Sequence, residues 1–233
     1  MSATQQRTAE SSANTRKMLQ AMVGLGISCA LLIVLTYEGT LPRIEQNKAA
    51  ALEAAVFQVL PGIVTMTPFV VDENGDFRPA TAADAPADRV YAGYDGQQQC
   101  VGVAVTASGQ GYADIIRVLY GYAPHREQLV GFYVLESKET PGLGDKIEKD
   151  PGFQENFHAL DVSLDPAHQA LKQAVVTVKQ GAKKKPWQID GITGATISSR
   201  AIGNIIGAST QRWIPLIYQQ QARFAAPKPS AHE

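Results

Sequence analysis

Cysteine is scarce in this chain. The 233 residues contain two, Cys29 and Cys100, with no CxxC pair, no CxxCH for haem attachment and no four-cysteine set for an iron–sulfur cluster. Cys29 lies in an apolar stretch, so a disulfide would draw Cys100 into a bilayer, and both read as free thiols. The histidines His125, His158, His168 and His232 lack ligand spacing and do not suggest a metal site. Excess charge is also missing: 21 basic residues face 22 acidic ones, which leaves no footprint for nucleic acid. The one basic cluster, Lys183-Lys184-Lys185, reads as a solvated loop, with a docking patch for an anionic partner as the alternative. There is no Ser–His–Asp arrangement, no carboxylate pair at telling spacing, no nucleotide loop and no internal repeat. These absences argue against an enzyme that processes a substrate by itself.

What the chain does have is one long apolar run. Residues 18–37, MLQAMVGLGISCALLIVLTY, carry no charge and are long enough to cross a hydrocarbon core. Arg16 and Lys17 precede the run, whereas Glu38 and a mixed set of Arg43, Glu45 and Lys48 follow it. The positive flank predicts a cytoplasmic N-terminal segment (residues 1–17), a single span (18–37) and a domain on the far side of the membrane (38–225). The rival reading is a cleaved signal peptide. The run is long for one, and TYEGTLPRIE offers no small-x-small cleavage site, so a retained anchor is expected.

Beyond the anchor, composition is that of an ordinary globular domain, 45% hydrophobic and 18% charged. Apolar residues at near-helical spacing predict a helix over 43–60, ended by Pro61-Gly62. The polar, proline-bearing stretch 72–88 reads as a surface loop. Runs rich in Val, Ile, Tyr and Phe predict strands at 90–94, 100–106, 115–122 and 128–135, with another at 175–178. The short connections favour an antiparallel sheet over crossover units. Short helices and loop are expected over 142–160. A helix is expected from 195 to about 218, bent or ended by Pro215, and a frayed tail over 226–233. The fold class is α+β: one N-terminal transmembrane helix plus one domain with a mainly antiparallel sheet and flanking helices.

The stretch Asp190-Gly191-Ile192-Thr193-Gly194-Ala195-Thr196-Ile197-Ser198-Ser199 stands out. Hydroxyl and small residues before an apolar-periodic run mark a helix start, with Thr193, Thr196 or Ser198 as the cap. A helix start also offers free N–H groups and a positive dipole end, which suit a phosphate. Glycines at 191 and 194 let a bulky group approach the backbone. Taken alone, these features describe an anion site and nothing finer.

The string resembles the flavinylation signature Asp-x-x-(Ser/Thr)-Gly-Ala-(Thr/Ser), and Asp190, Thr193, Gly194, Ala195 and Thr196 fill each fixed position. A second string, Lys138-Glu139-Thr140-Pro141-Gly142-Leu143-Gly144-Asp145-Lys146, resembles the ETPGLG segment of the same FMN-binding domain family; by itself it would be a Pro-Gly turn. In wording it is similar to the G subunits of Rnf-type ion-translocating complexes, with the C subunits of sodium-translocating NADH:quinone reductases as the related alternative. The resemblance implies FMN esterified through its phosphate to Thr196 by a flavin transferase. It further implies a ring beside Glu139, Thr140, Gly142, Leu143 and Gly144; a ring needs apolar walls, and Trp187, just before the motif, reads as a stacker or a core residue. It also implies a place in a multi-subunit electron-transport complex of a bacterial inner membrane, with the flavin domain periplasmic. The readings from other classes are a membrane-anchored sensor or assembly protein and a periplasmic reductase acting alone.

Overall fold

The computed structural model describes residues 3–81, 83–85 and 89–225. The expected tail over 226–233 lies outside the described residues. Contacts divide the chain into two compact units, Met1–Ala50 and Ala51–Glu233. The first is helical and belongs to α1 (Ala3–Val59), which continues through Pro42. Residues such as Met22, Leu25, Leu32 and Ile33 are exposed along it. Its apolar window is long enough to cross a membrane.

The second unit is built on a seven-stranded sheet of order β2-β1-β3-β4-β5-β6-β7, in which every pairing is antiparallel. The strands are β1 (Thr65–Val71), β2 (Phe77–Pro79), β3 (Val90–Tyr94), β4 (Cys100–Gln110), β5 (Ile115–Ala123), β6 (Gln128–Glu136) and β7 (Leu160–Asp161). Alternation along the strands sends side chains to two faces. On one face, Ala55, Val56 and Val59 from the end of α1, with Leu60 just after it, pack with Tyr91, Ala104 and Leu119. On the other, Val103, Val105, Ile116, Val118 and Tyr120 form a larger core with Ile202, Ile205 and Ile206 of α4 (Thr196–Gln219). The short helices α2 (Lys146–Lys149) and α3 (Pro151–Glu155) contribute Ile147 and Phe153 to that same core.

Three local expectations need correction. The stretch 72–88 is not only loop: it contains β2, and Phe77 is buried with its ring centroid 4.8 Å from that of Phe224. Such a three-residue strand has no periodicity to read; its pairing with β1 creates it. Of the two outcomes expected at Pro215, an end or a bend, the end does not occur: α4 runs on to Gln219, close to the expected 218, because Ile214, Pro215 and Ile217 are all buried and their packing outweighs one lost hydrogen bond. Finally, no separate helix begins at residue 43, because α1 runs unbroken through Pro42; the strand expected at 175–178 is present as β8 (Val176–Val178), which pairs in parallel with β9 (Gln188–Asp190) beside the antiparallel sheet.

Candidate functional site

The flavinylation-like string straddles the end of β9 and the start of α4. Gly194 has φ +86°, a conformation that side-chain-bearing residues rarely adopt, and it turns the chain into the helix. The helix N-cap is Ala195, with no side-chain cap, so none of Thr193, Thr196 and Ser198 fills the capping role expected above. The first-turn amides therefore lack a side-chain acceptor, and the positive end of a 24-residue helix is left open.

The four hydroxyls of the string fall into two groups. Ser198 and Ser199 are buried, at 3% and 1% exposure. The Ser198 hydroxyl donates to the Glu139 carboxylate, and Ser199 Oγ donates to the Thr196 carbonyl at 3.3 Å and accepts from the Ile192 amide at 3.4 Å. Thr193 and Thr196 are exposed, and neither hydroxyl makes a hydrogen bond among the described residues. Of these two, Thr196 occupies the first helical position.

Asp190 works as a brace. Its backbone N–H donates to Asn156 Oδ1 at 2.9 Å and its carbonyl accepts from Asn156 Nδ2 at 3.1 Å. Its Oδ2 accepts from the Gly181 amide at 2.9 Å, ordering the loop between β8 and β9, while Oδ1 is buried without a partner. Asn156 is 4% exposed and also accepts from Lys183 Nζ at 3.0 Å. Nothing in the sequence pointed to Asn156, because its partners lie 34 residues away.

The second string packs directly on the first. A Cβ built on Gly144 would stand 2.8 Å from Ser198 Oγ and 2.5 Å from Glu139 Oε2, so glycine here makes room for the carboxylate. Glu139, at 5% exposure, also accepts from the amides of Tyr112 at 2.8 Å and Ala113 at 3.0 Å. Glu139 and Gly144 thus face the interior, whereas Thr140, Gly142 and Leu143 face solvent. Gly142 has φ +78° and open space around it, so backbone conformation accounts for that glycine. Large apolar side chains cluster near this junction: Leu143, Ile197 and Tyr112 are 54%, 58% and 65% exposed. Trp187 is half-buried, with Lys185 Nζ 5.9 Å from its ring centroid.

Beside Thr196 lies a cavity of about 390 Å³ whose walls include Thr177, Lys179, Gln180, Thr193, Thr196 and Arg200. That volume is in the range of small-molecule sites. Arg200 lies one helical turn beyond Thr196 and so shares its face. Among the described residues, neither Arg200 nor Lys179 has an acidic partner. An exposed hydroxyl, an uncapped helix start and two unpaired cations fit a phosphate ester; the apolar side chains at the junction fit an aromatic ring. Both cysteines are free, and burial pushes the Cys100 thiol up to about 11, so it is not a thiolate at neutral pH.

Comparison with known proteins identifies the family and the fold. Residues 111–210 match the family model of the FMN-binding domain. The chain is 30% identical to the G subunit of the ion-translocating oxidoreductase complex of Methanosarcina acetivorans over 80% of this chain and 87% of that protein. It is 32% identical to the corresponding G subunit of Cereibacter sphaeroides over 86% of this chain and 83% of that one. Two solved structures share the fold: NqrC of Shewanella oneidensis (18% identity, TM-score 0.51, 77% of this chain and 96% of that one) and the C subunit of the Na(+)-translocating NADH-quinone reductase of Parabacteroides distasonis (20%, 0.56, 80% and 98%). The chain therefore belongs to the family of G subunits of ion-translocating oxidoreductase complexes, built on an FMN-binding domain.

Proposed function

We propose that this chain is an electron-transfer subunit of a membrane-bound ion-translocating oxidoreductase complex, relaying electrons through one FMN esterified to Thr196. The observation that carries the attachment point is the sorting of hydroxyls: Ser198 and Ser199 are buried and engaged, while Thr196 is exposed, unbonded and at the open start of α4. In the transfer, the Thr196 oxygen bonds to the flavin phosphorus as the pyrophosphate bond of FAD breaks. AMP leaves, and the threonine proton is released. FMN supplies one- or two-electron exchange, and linkage through phosphate leaves its ring free to be tuned by the protein. Leu143, Ile197 and Thr140 offer the exposed surface on which the ring would lie. The partners are the other subunits of the complex and a flavin transferase during maturation.

The test is mass spectrometry of the tryptic peptide that spans Thr196, taken from native membranes. Because this peptide also carries Thr193, Ser198 and Ser199, fragment ions must place the FMN mass on residue 196. An unmodified peptide from cells that hold the transferase would reject the reading and favour a sensor or assembly role. The higher identity to the G-type proteins, 30–32% against 18–20% for the C-type structures, supports the Rnf-type assignment.

Arg200 and Lys179 should matter to attachment rather than to folding. Both are exposed cations on the cavity wall, so they stabilise an incoming phosphate at little structural cost. The double variant Lys179→Gln/Arg200→Gln should slow flavinylation about tenfold at low salt, and by less at high salt as screening removes the wild-type advantage. A rate equal to wild type at low salt would remove these residues from the site.

Topology follows from Arg16 and Lys17 before the apolar window. Protease added to intact spheroplasts should digest the domain bearing Thr196. Digestion only in inverted vesicles would place that domain in the cytoplasm.

A further inference from the structure

The Glu139 carboxylate is buried and has neutral partners only. It accepts from two backbone amides, Tyr112 and Ala113, and from the Ser198 hydroxyl. The adjacent cation, Lys138, is committed to Asp114 at 2.6 Å, and among the described residues no ion pair reaches Glu139. Room for the carboxylate is reserved from two sides, since a Cβ on Gly111 would stand 2.5 Å from Oε1 and one on Gly144 2.5 Å from Oε2. One side chain thereby ties together three segments: the 111–114 turn between β4 and β5, the 140–144 turn, and the first turn of α4. Each segment presents one of the exposed apolar side chains Tyr112, Leu143 and Ile197. The resemblance implies a ring beside Glu139, and burial sets its carboxylate beneath that surface.

We propose that Glu139 is a positioning residue with an electrostatic effect: its hydrogen bonds hold the three segments in register, and its uncompensated negative charge lowers the reduction potential of the flavin above it. This rests on the reading that FMN is carried at Thr196. Backbone amides can only donate, so Oε1 accepts from both Tyr112 and Ala113, and the Ser198 hydroxyl occupies the position at Oε2. Among the described residues no cation pairs with the carboxylate, and at 5% exposure little water screens it, so its field reaches the overlying surface at low effective dielectric. Adding an electron near a fixed negative charge is less favourable, so the charge makes the flavin a stronger reductant. Neutral donors suit this purpose, because they hold the charge in place without cancelling it.

Two variants of the full chain, made with and without the transferase, separate the clasp from the charge. Glu139→Gln keeps the shape, can accept from Tyr112 and Ala113, and can donate to Ser198, while losing the charge. Glu139→Ala loses both. In the flavin-free chain, amide exchange at Tyr112 and Ala113 should quicken at least tenfold in Glu139→Ala and stay near wild type in Glu139→Gln. In the flavin-bearing chain, Glu139→Gln should keep FMN on Thr196 and show a more positive midpoint potential by spectroelectrochemistry. An unchanged or more negative potential overturns the electrostatic role, and unchanged exchange in Glu139→Ala overturns the clasp. Loss of attachment in a folded Glu139→Gln also overturns the proposal, which assigns this charge to tuning. If wild type itself carries no flavin at Thr196, the attachment reading fails instead, and the exchange measurement still decides the clasp.

Discussion

Thr196→Val should abolish covalent flavin, leaving no yellow fluorescence in the denatured band when the transferase is co-expressed, while the melting temperature hardly moves. The two halves of this expectation have separate causes. A phosphoester needs the oxygen that valine lacks. The fold does not need it, because the Thr196 side chain is exposed and its hydroxyl has no partner among the described residues, and such surface changes stay within about 0.5 kcal/mol. Thr196→Ser keeps the oxygen and should retain partial attachment, since losing the methyl mainly loosens the rotamer. Ser198→Ala should behave in the opposite sense. It removes a donor from the buried Glu139 carboxylate and should cost about 1–3 kcal/mol, yet flavin should remain attached. Ser199→Ala should also stay flavinylated. A denaturation-resistant flavin on Thr196→Val would sink the assignment of this oxygen.

Asn156→Ala should lower stability by about 2–3 kcal/mol, because it removes a buried side chain that bonds both the half-buried N–H and the C=O of Asp190. In a domain of this size that corresponds to a fall of roughly 4–12 °C in melting temperature. Flavin attachment should also decline, since Asp190 orders the loop after β8 through Gly181 and sits at the end of β9, ahead of Gly194 and Thr196. Lys183→Gln removes only the outer contact to Asn156 and should cost no more than about 0.5 kcal/mol. Thermal melts of the three proteins decide the matter. An Asn156→Ala protein that melts with wild type would show that the Asp190 brace carries no weight.

The four central strands were legible because each is a run of β-branched and aromatic residues bounded by turn formers. The expected 90–94, 100–106, 115–122 and 128–135 correspond to Val90–Tyr94, Cys100–Gln110, Ile115–Ala123 and Gln128–Glu136. Of the helix expected over 43–60, the end at Pro61-Gly62 was readable, since α1 stops at Val59; its start was not, because α1 runs on unbroken through Pro42. The edge was not. Pro68 interrupts the signal in β1, and β2 has only three residues, so both depend on pairing with a partner strand.

Local chemistry is written in the sequence wherever its cause is local. Spacing and composition determined the apolar run, the central strands, the long α4 and the helix start at Thr196, and the two strings determined the family. Only the tertiary structure decided which hydroxyls are free. The signature names Thr196, but nothing in the letters says that Ser198 and Ser199 are buried against Glu139 and Ile192 while Thr193 and Thr196 stay exposed. The fold likewise decided that Glu139 points inward while Leu143 points outward, although they sit four residues apart on one turn. Glu139 meets Ser198 across 59 residues and Asn156 meets Asp190 across 34. Such contacts form when the sheet brings distant segments to one end, and no local periodicity records them.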